Sequence, residues 1–275
     1  MGLRAIILGC GSSGGVPRVG GDWGACDPCN PKNRRRRCSL LVEYWEGEAH
    51  VPHEKRTVVL IDTSPDLREQ LLDAQTTHIE AVLFTHEHGD QTNGMDDIRA
   101  IAYRKREQIP TYMSAEAYAD LKQRFAYIFE KPDGRIHPPI LKVQPVIKAG
   151  DSLQIDGPGG ALDIGVLDVP HGNVNALGFT FCGRAAYCPD AHDLSAATLA
   201  SLERYDVWIL DTLRYHDHPT HAHADKALRW AAQTRVKTLV TTNMHIDMDY
   251  ETLRAALPGP QIIGYDGLVI ERQYA

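Results

Sequence analysis

The feature that most constrains this chain is a run of metal-ligand residues directly after an apolar segment. Ala81–Phe84 predicts a buried strand, and His86, His88 and Asp90 follow it within six residues. Alternate residues share a side, so both imidazoles can reach one ion while Asp90 reaches the same or a neighbouring ion. Imidazole and carboxylate together suit Zn, Mn or Fe. The run therefore predicts a catalytic metal centre in preference to a solvated polar loop.

Three more ligand-capable residues follow short apolar segments further along the chain. His171 comes after Val169-Pro170, Asp190 after Tyr187-Cys188-Pro189, and His245 after the segment that ends at Val240. Each one alone is more often a surface or capping residue. Several such residues at strand ends are what a site at one edge of a sheet requires, so we expect them to meet there.

The pattern of apolar segments predicts a layered α/β fold with sheet inside and helices outside. Strands are predicted at 5–8, 39–43, 57–61, 81–84, 165–169, 177–181, 207–210, 238–240 and 261–263. Helices are predicted at 65–74, 96–103, 115–128, 196–202, 223–233 and 250–257. The Gly/Asp/Pro-rich stretch 150–160 is interpreted as a hairpin turn region, so one domain over residues 1–275 is expected.

Composition excludes some classes of function. The formal net charge of −7 disfavours a general nucleic-acid binder, which needs a basic face. No apolar stretch reaches the ~20 residues of a membrane span. Met1–Gly9 is too short and too soon interrupted by glycine for a signal peptide, and predicts a first strand. Six cysteines are too few for a disulfide scaffold, so reduced thiols and a cytoplasmic location are expected.

Ordered motifs along nearly the whole chain resemble those of the metallo-β-lactamase superfamily. The similarity is to its phosphodiesterase branch related to tRNase Z, and within that to the PhnP-like phosphoribosyl cyclic phosphodiesterases. The matching segments, in order, are Leu8–Pro17, Ile61-Asp62-Thr63, Thr85–Asp90, Pro170-His171-Gly172, Pro189-Asp190 and Asn243-Met244-His245. The resemblance implies a four-layer αββα sandwich with a two-metal site at the edge of its sheets.

The resemblance also implies a role for each matching ligand. A first divalent ion, Zn or Mn, would be held by His86, His88 and His171, and Asp190 would bridge to a second ion held by Asp90 and His245. A hydroxide between the two ions would attack phosphorus. The superfamily pattern HxHxDH has Gln91 at its last position here, and an amide is a poorer ligand than imidazole. We expect a tight first site and a labile second one.

A second cluster contains four histidines, His216, His218, His221 and His223. The related branch carries a histidine just before a helix, where it protonates the leaving alkoxide, and Thr220-His221 is the best positional match. A histidine that titrates near neutrality suits this task. His223 is the substitute general acid. The alternative is an exposed loop or an adventitious metal tract.

A glycine loop and an arginine run precede the second predicted strand. Gly9–Gly15 lacks a phosphate-loop signature, so a tight turn beside the site is expected, with Ser12 and Ser13 as substrate contacts. Charge runs are usually solvated. The position of 34–37 leaves equally open that Arg34 and Arg35 bind a phosphate.

The cysteine segment Cys26–Cys29, with Cys38 nearby, is similar to a structural zinc knuckle of the same relatives. Those relatives have a further cysteine where this chain has Gly24 and a histidine where it has Met248. Two of four ligands are therefore missing, and the structural zinc stays open. The other cysteines, Cys10, Cys182 and Cys188, are interpreted as small core residues.

The function expected from these features is hydrolysis of small phosphodiesters, such as a cyclic phosphate or a nucleotide-like compound. A tRNA 3′-processing endonuclease is an alternative, although no long basic arm is found. Lactone or thioester hydrolysis uses the same fold and metals. A metal-binding protein without catalysis is the non-enzymatic alternative, prompted by Gln91. Members of this branch often form dimers, so a homodimer is one expectation.

Overall fold

Two seven-stranded sheets lie face to face in the computed structural model, which describes residues 1–47, 51–131, 134, 136–257 and 259–274. The strands are β1 (Gly2–Gly9), β2 (Ser39–Trp45), β3 (Thr57–Ile61), β4 (Ala81–Leu83), β5 (Ile109–Tyr112), β6 (Leu141–Val143), β7 (Ser152–Gly157), β8 (Gly160–His171), β9 (Val174–Phe181), β10 (Ala185–Cys188), β11 (Val207–Asp211), β12 (Thr238–Thr242), β13 (Ile262–Ile263) and β14 (Val269–Gln273). The first sheet has the order β14-β1-β2-β3-β4-β5-β6 and the second β13-β12-β11-β10-β9-β8-β7.

Helices cover the outer face of each sheet. They are α1 (Leu67–Asp73), α2 (Gly89–Thr92), α3 (Arg99–Lys105), α4 (Ala115–Phe129), α5 (Ala196–Ser201), α6 (Ala224–Thr234) and α7 (Tyr250–Ala256), with 3₁₀ turns at Pro31–Asn33, His53–Lys55 and Met95–Ile98. Among the residues that the structure describes, no helix is both long and apolar enough to span a bilayer.

Alternation along the strands produces three apolar layers, because neighbouring side chains point to opposite faces of a sheet. In β1, Ile7 joins the core between the sheets, where it is packed with residues such as Phe179 of β9. Ile6 points the other way, into the layer that Leu71 of α1 covers. Trp208 of β11 lies in the corresponding outer layer of the second sheet. The predicted four-layer αββα sandwich is confirmed.

Parallel strands place the polar segments at one edge. Strands β3, β4 and β5 run parallel in the first sheet, and β10, β11 and β12 run parallel in the second. In α/β proteins, ligands bind outside the carboxyl ends of such strands. The segments after β3, β4, β10 and β12 carry Asp62, His86, Asp190 and Asn243 respectively.

The structure also contains five strands that the sequence pattern does not predict: β5, β6, β7, β10 and β14. They are short or polar. Strand β5 contains Pro110, and β14 exposes four of its five residues. Such strands form because a neighbouring strand supplies hydrogen-bond partners, and that depends on tertiary structure. The stretch 150–160 contains β7 and the turn that joins it to β8, so the hairpin interpretation agrees with the structure.

Candidate metal-dependent active site

Three imidazoles converge at the carboxyl end of β4 and the end of β8. The ring centroids of His86 and His88 are 4.5 Å apart, and His171 lies 5.2 and 5.3 Å from them. Nε2 of His86 is 2.9 Å from Nδ1 of His88. One ligand atom from each of the three residues lies within 4.8 Å of the others. These donors surround a common point and fit a divalent transition metal.

Hydrogen bonds orient two of these rings. The Thr85 hydroxyl donates to Oδ2 of Asp62 at 2.9 Å, so its oxygen is left to accept from Nδ1 of His86, also at 2.9 Å. Nδ1 of His171 donates to the carbonyl oxygen of Thr220 at 2.8 Å. In both rings the Nε2 lone pair is therefore left for an ion. Partners of this kind usually position metal-binding histidines.

Burial keeps the same imidazoles neutral. Burial, together with the neighbouring His88, lowers the pKa of His86 well below its usual value. Burial and the nearby His221 lower the pKa of His171 to about 4. A metal ion binds only unprotonated imidazole, so both groups are in the required state at neutral pH.

Buried carboxylates surround the three imidazoles. Asp190 is 3% exposed, and its Oδ1 lies 3.9 Å from Nε2 of His171. Burial raises the pKa of Asp190 well above its usual value, against the opposing charge of His221, and the carboxylates of Asp90 and Asp211 add to the rise. A bound cation would remove this penalty, because opposite charge favours the ionised carboxylate. The donor set at this first position therefore fits the metal that the fold implies.

His221 forms an ion pair with a buried carboxylate in the same cleft. Its Nδ1 is 2.8 Å from Oδ2 of Asp211, the last residue of β11. Burial alone would lower the pKa of His221, but the charge and hydrogen bond of Asp211 outweigh burial and raise the pKa to about 9. With Nδ1 engaged, Nε2 is the nitrogen available to a ligand, and the His221 ring lies 4.6 Å from that of His171.

His223 occupies a different place from His221. It is the N-cap residue of α6, and its Nδ1 lies 3.4 Å from the exposed Asp217. The cleft is lined by His218 and His221 and not by His223. Of the two histidines considered as general acid, His221 is the one that the fold brings beside the three-histidine cluster.

The cleft has a volume of about 470 Å³ and a mainly polar wall. Ser12 and Ser13 are among the residues that line it, and their contact with substrate stays a prediction. It is also lined by Arg18 and Arg214, which sequence reasoning missed because neither belongs to a recognised motif. A second cavity of about 500 Å³ is lined by Glu87 and Gly172, which are sequence neighbours of the metal-site histidines.

The arginines predicted to bind phosphate lie elsewhere. Arg35 is 2% exposed and donates to Oδ1 of Asn33 at 3.3 Å and to Sγ of Cys26 at 3.7 Å. Arg34 is exposed, and neither arginine lines the cleft. The structure gives no support to the interpretation of Arg34 and Arg35 as phosphate ligands, because Arg35 is buried against Asn33 and Cys26 and Arg34 is exposed outside the cleft lining.

Asp90 and His245 line the cleft without joining a cluster of ligands. Within the described part of the chain, two groups of three ligand residues have donor atoms within 4.8 Å of one another: the three-histidine cluster, and His171 with Asp190 and His221. Neither group contains Asp90 or His245. Nδ1 of His245 faces Oδ2 of Asp247 at 2.9 Å, and its Nε2 contacts the guanidinium of Arg18. The donors expected for a second ion thus do not converge.

The three cysteines considered for a structural zinc are also separated. Cys26 donates to the carbonyl oxygen of Ile246 at 3.2 Å, Cys38 contacts the carbonyl oxygen of Gly11 at 3.5 Å, and Cys29 is exposed. No cysteine belongs to a three-ligand group in the described residues. A side chain at Gly24 would meet Ile246 at 2.7 Å, so this position has no room for a fourth ligand.

Comparison with known proteins agrees with this geometry. Residues 57–246 match the family model described as the β-lactamase superfamily domain. A solved diphosphatase from the PhnP family is 29% identical, with a TM-score of 0.85 over 99% of this chain and 98% of that one. The short form of human tRNase Z is 16% identical, with a TM-score of 0.61 over 97% of this chain and 98% of that one, and shares the fold.

A curated relative, named as an octanoyltransferase of Porphyromonas gingivalis, is 31% identical over 271 residues. The match covers 97% of this chain but 51% of the relative. The chain therefore spans about half the length of that protein. A second curated relative, named as a hydroxyacylglutathione hydrolase of Methylobacillus flagellatus, is 32% identical in a match that covers 47% of this chain and 38% of the relative. The fold, the family model and the PhnP-family match together establish that the chain belongs to the metallo-β-lactamase superfamily, a fold family of metal-dependent hydrolases, in its PhnP-like branch.

Proposed function

We propose that this protein hydrolyses small phosphodiesters, with a divalent ion held by His86, His88 and His171 and a proton supplied by His221. The observation that carries the proposal is the His221–Asp211 pair at 2.8 Å, placed beside the three-histidine cluster in one polar cleft. A divalent ion, Zn or Mn, would supply a hydrolytic water of lowered pKa and would compensate phosphate charge.

The His221 imidazolium supports this choice of substrate. An alkoxide is a poor leaving group until it is protonated, whereas a thiolate leaves readily without an acid. The negative charge of Asp211 raises the pKa of His221 to about 9, so the imidazolium is present at neutral pH. Nε2 is the nitrogen that would donate the proton, since Nδ1 is bonded to Asp211.

The walls of the cleft support a substrate with one phosphate group and a polar substituent. Arg18 and Arg214 carry positive charge beside the histidines, and Ser12 and Ser13 add hydroxyl donors. The second cavity contains Glu87, Glu116 and Asp168 against one lysine, Lys148. Its net negative lining would repel a further phosphate and would accept hydroxyl groups of a sugar or nucleoside.

A diphosphate is the second candidate substrate. The observation that favours it is the 29% identical diphosphatase of the PhnP family, which matches nearly the whole chain. The same attack at phosphorus serves both substrates, so the residues keep their roles. The formal net charge of −7 weighs against tRNA, whose phosphates need a basic surface.

The test is turnover of bis(p-nitrophenyl) phosphate by the protein, with and without added Mn²⁺ or Zn²⁺. A cyclic ribose phosphate, an ester of a nucleoside diphosphate and the thioester S-lactoylglutathione are run in parallel. We expect metal-dependent hydrolysis of the phosphodiesters. Turnover of the thioester alone would contradict the proposal, and turnover of the diphosphate alone would select the second candidate.

A further inference from the structure

Gln91 stands at the last position of the superfamily pattern HxHxDH, and its amide is hydrogen-bonded to the carboxylate of Asp190. Gln91 is fully buried on α2, and its Nε2 donates to Oδ2 of Asp190 at 3.0 Å. Nδ2 of Asn243 donates to Oδ1 of the same carboxylate at 3.2 Å. Both oxygens of the residue expected to bridge two ions are thus hydrogen-bonded to the protein. Oε1 of Gln91 has no hydrogen-bond partner among the residues that the structure describes, and a single neutral oxygen is a weak metal ligand.

A guanidinium group holds the imidazole expected to complete that second position. Arg18 donates to Nε2 of His245, while Nδ1 of that ring faces Asp247 at 2.9 Å. Arginine stays protonated and cannot accept a proton or share a lone pair with a metal. A metal ion at Nε2 of His245 and the present contact with Arg18 exclude each other.

The backbone keeps Arg18 in this place. The N–H of Arg18 donates to the carbonyl oxygen of Asp22 at 2.9 Å, closing a tight turn. The preceding glycine loop is bonded to the segment before His245, since the N–H of Ser12 donates to the carbonyl oxygen of Met244 at 3.1 Å. Beneath the guanidinium, a Cβ on Gly14 would lie 3.2 Å from Nε of Arg18, so glycine at this position leaves the space that the arginine fills.

We propose that this chain works with one metal ion per active site and that Arg18 supplies the second positive charge, as a phosphate ligand. This inference rests on the proposed function. When a phosphate group enters, the guanidinium would exchange its contact with His245 for a phosphate oxygen, for which its planar donors are well suited. An arginine in place of the second metal ion would still compensate the negative charge of the phosphate, and it needs no second set of metal ligands.

The test counts ions directly. Stripped protein is titrated with Co²⁺, and the visible absorption of the bound ion gives the endpoint independently of activity. We expect the wild type to bind one equivalent of Co²⁺ per chain. The double variant Arg18→Ala/Gln91→His should bind two, because it places the histidine of the superfamily pattern at position 91 and removes the guanidinium that contacts His245. Arg68→Ala, which changes an arginine on α1 with a 68% exposed side chain, is the matched control and should also bind one equivalent.

A kinetic readout tests the role of Arg18 as a phosphate ligand. For bis(p-nitrophenyl) phosphate, Arg18→Ala should raise KM by about 10- to 100-fold, because a charged hydrogen bond to the phosphate is lost, while the Co²⁺ stoichiometry stays unchanged. Arg18→Lys should show a smaller rise in KM than Arg18→Ala, because it keeps the positive charge. Two equivalents of equal affinity in the wild type, one equivalent in the double variant, or an unchanged KM in Arg18→Ala would overturn the inference. Absence of any Co²⁺ binding or turnover in the wild type would instead refute the proposed function itself.

Discussion

At the scale of single residues, hydrogen bonds to one ring nitrogen determine what the other can do. Nδ1 of His86, His171 and His221 is bonded to Thr85, to a carbonyl oxygen and to Asp211 respectively. Two of these rings have neutral partners and low pKa values, which suits metal binding. His221 has a carboxylate partner and a raised pKa, which suits proton donation. One side-chain type therefore serves two purposes because its partners differ.

Replacing His221 with alanine should lower kcat by about 10²- to 10⁴-fold, the usual contribution of a general acid. The metal content should be retained, since the three other imidazoles are untouched. Turnover of bis(p-nitrophenyl) phosphate and elemental analysis of the same preparation test this. His223→Ala is the control, and a larger loss in that variant than in His221→Ala would contradict the assignment.

Thr85→Val removes the hydroxyl that links Asp62 to His86 while nearly preserving side-chain shape. Because partners of metal-binding histidines commonly contribute this much, the affinity for Co²⁺ should fall by about 10- to 100-fold. Competition with a chelator of known affinity measures the change. Thr76→Val is the control, since Thr76 lies in the loop after α1, and an equal loss of affinity there would show that the effect is not specific.

At the scale of elements, short and irregular segments do most of the positioning. The helix α2 has only four residues, yet it carries Asp90 and Gln91 into the site. The 24–38 segment is attached to the start of α7 through Asn33, whose Nδ2 donates to Oδ2 of Asp249 at 2.7 Å. Asp249 is also the N-cap of that helix, accepting from the N–H of Thr252 at 2.9 Å. Hydrogen bonds of side-chain and backbone groups thus tie the 24–38 segment to α7.

The pH dependence of stability should report this cap. Burial opposes ionisation of Asp249, but hydrogen bonds from Thr252, Asn33 and Asp27 prevail and lower its pKa to about 2. The unfolded chain binds a proton near pH 4, so the stabilisation is complete above that value and is lost as the pH falls towards about 2. Asp249→Asn should lower the free energy of unfolding by about 1 kcal/mol at neutral pH.

Urea unfolding of the wild type and of Asp249→Asn, at neutral pH and at about pH 3, measures the difference in their free energies of unfolding. The difference in the free energy of unfolding should shrink in acid, because the unfolded wild-type chain binds a proton at Asp249 near pH 4 that the folded chain binds only near pH 2. A difference that is the same at both values would contradict the pKa shift. Asp225→Asn, on the exposed face of α6, is the matched control and should change neither measurement appreciably.

The elements differ in how far sequence predicts them. Strands such as β3, with the sequence Thr-Val-Val-Leu-Ile, are predicted because β-branched residues in an apolar run favour a buried strand. The edge strand β14 is not, since only Ile270 is buried and its pairing with β1 is a long-range interaction. The stretch 150–160 is predicted as a hairpin turn region because it is rich in Gly, Asp and Pro, whereas the strand β7 within that stretch is not predicted.

At the scale of the whole molecule, a metal ion held by the three histidines would couple the two sheets. His86 and His88 follow a strand of the first sheet, and His171 ends a strand of the second. Around them lie buried carboxylates whose pKa values are raised by burial, so the metal-free site is a source of instability. An ion that binds across the sheets stabilises the folded state by mass action.

Removing the ion with a chelator should therefore lower Tm. A metal at about 100 times its Kd contributes ~2.7 kcal/mol, which for a chain of this length corresponds to roughly 5–8 °C. Calorimetry of the chelated and Zn²⁺-reloaded protein measures the shift. The control is the protein in excess chelator without added Zn²⁺. An identical Tm in the chelated and the Zn²⁺-reloaded samples would show that no ion bridges the sheets.

The sequence pattern predicts a layered α/β fold and the metal-binding run His86, His88 and Asp90, because those features are local: apolar runs followed within a few residues by ligands. The four-layer sandwich and the place of His171 beside His86 and His88 are implied by the resemblance of the ordered motifs. The contacts of Arg18 with His245 and of Asp211 with His221 follow from the tertiary structure. Arg18 and His245 are 227 positions apart, and only the pairing of the glycine loop with the segment after β12 brings them together. Whether His245 serves a metal or an arginine is therefore a property of the folded chain.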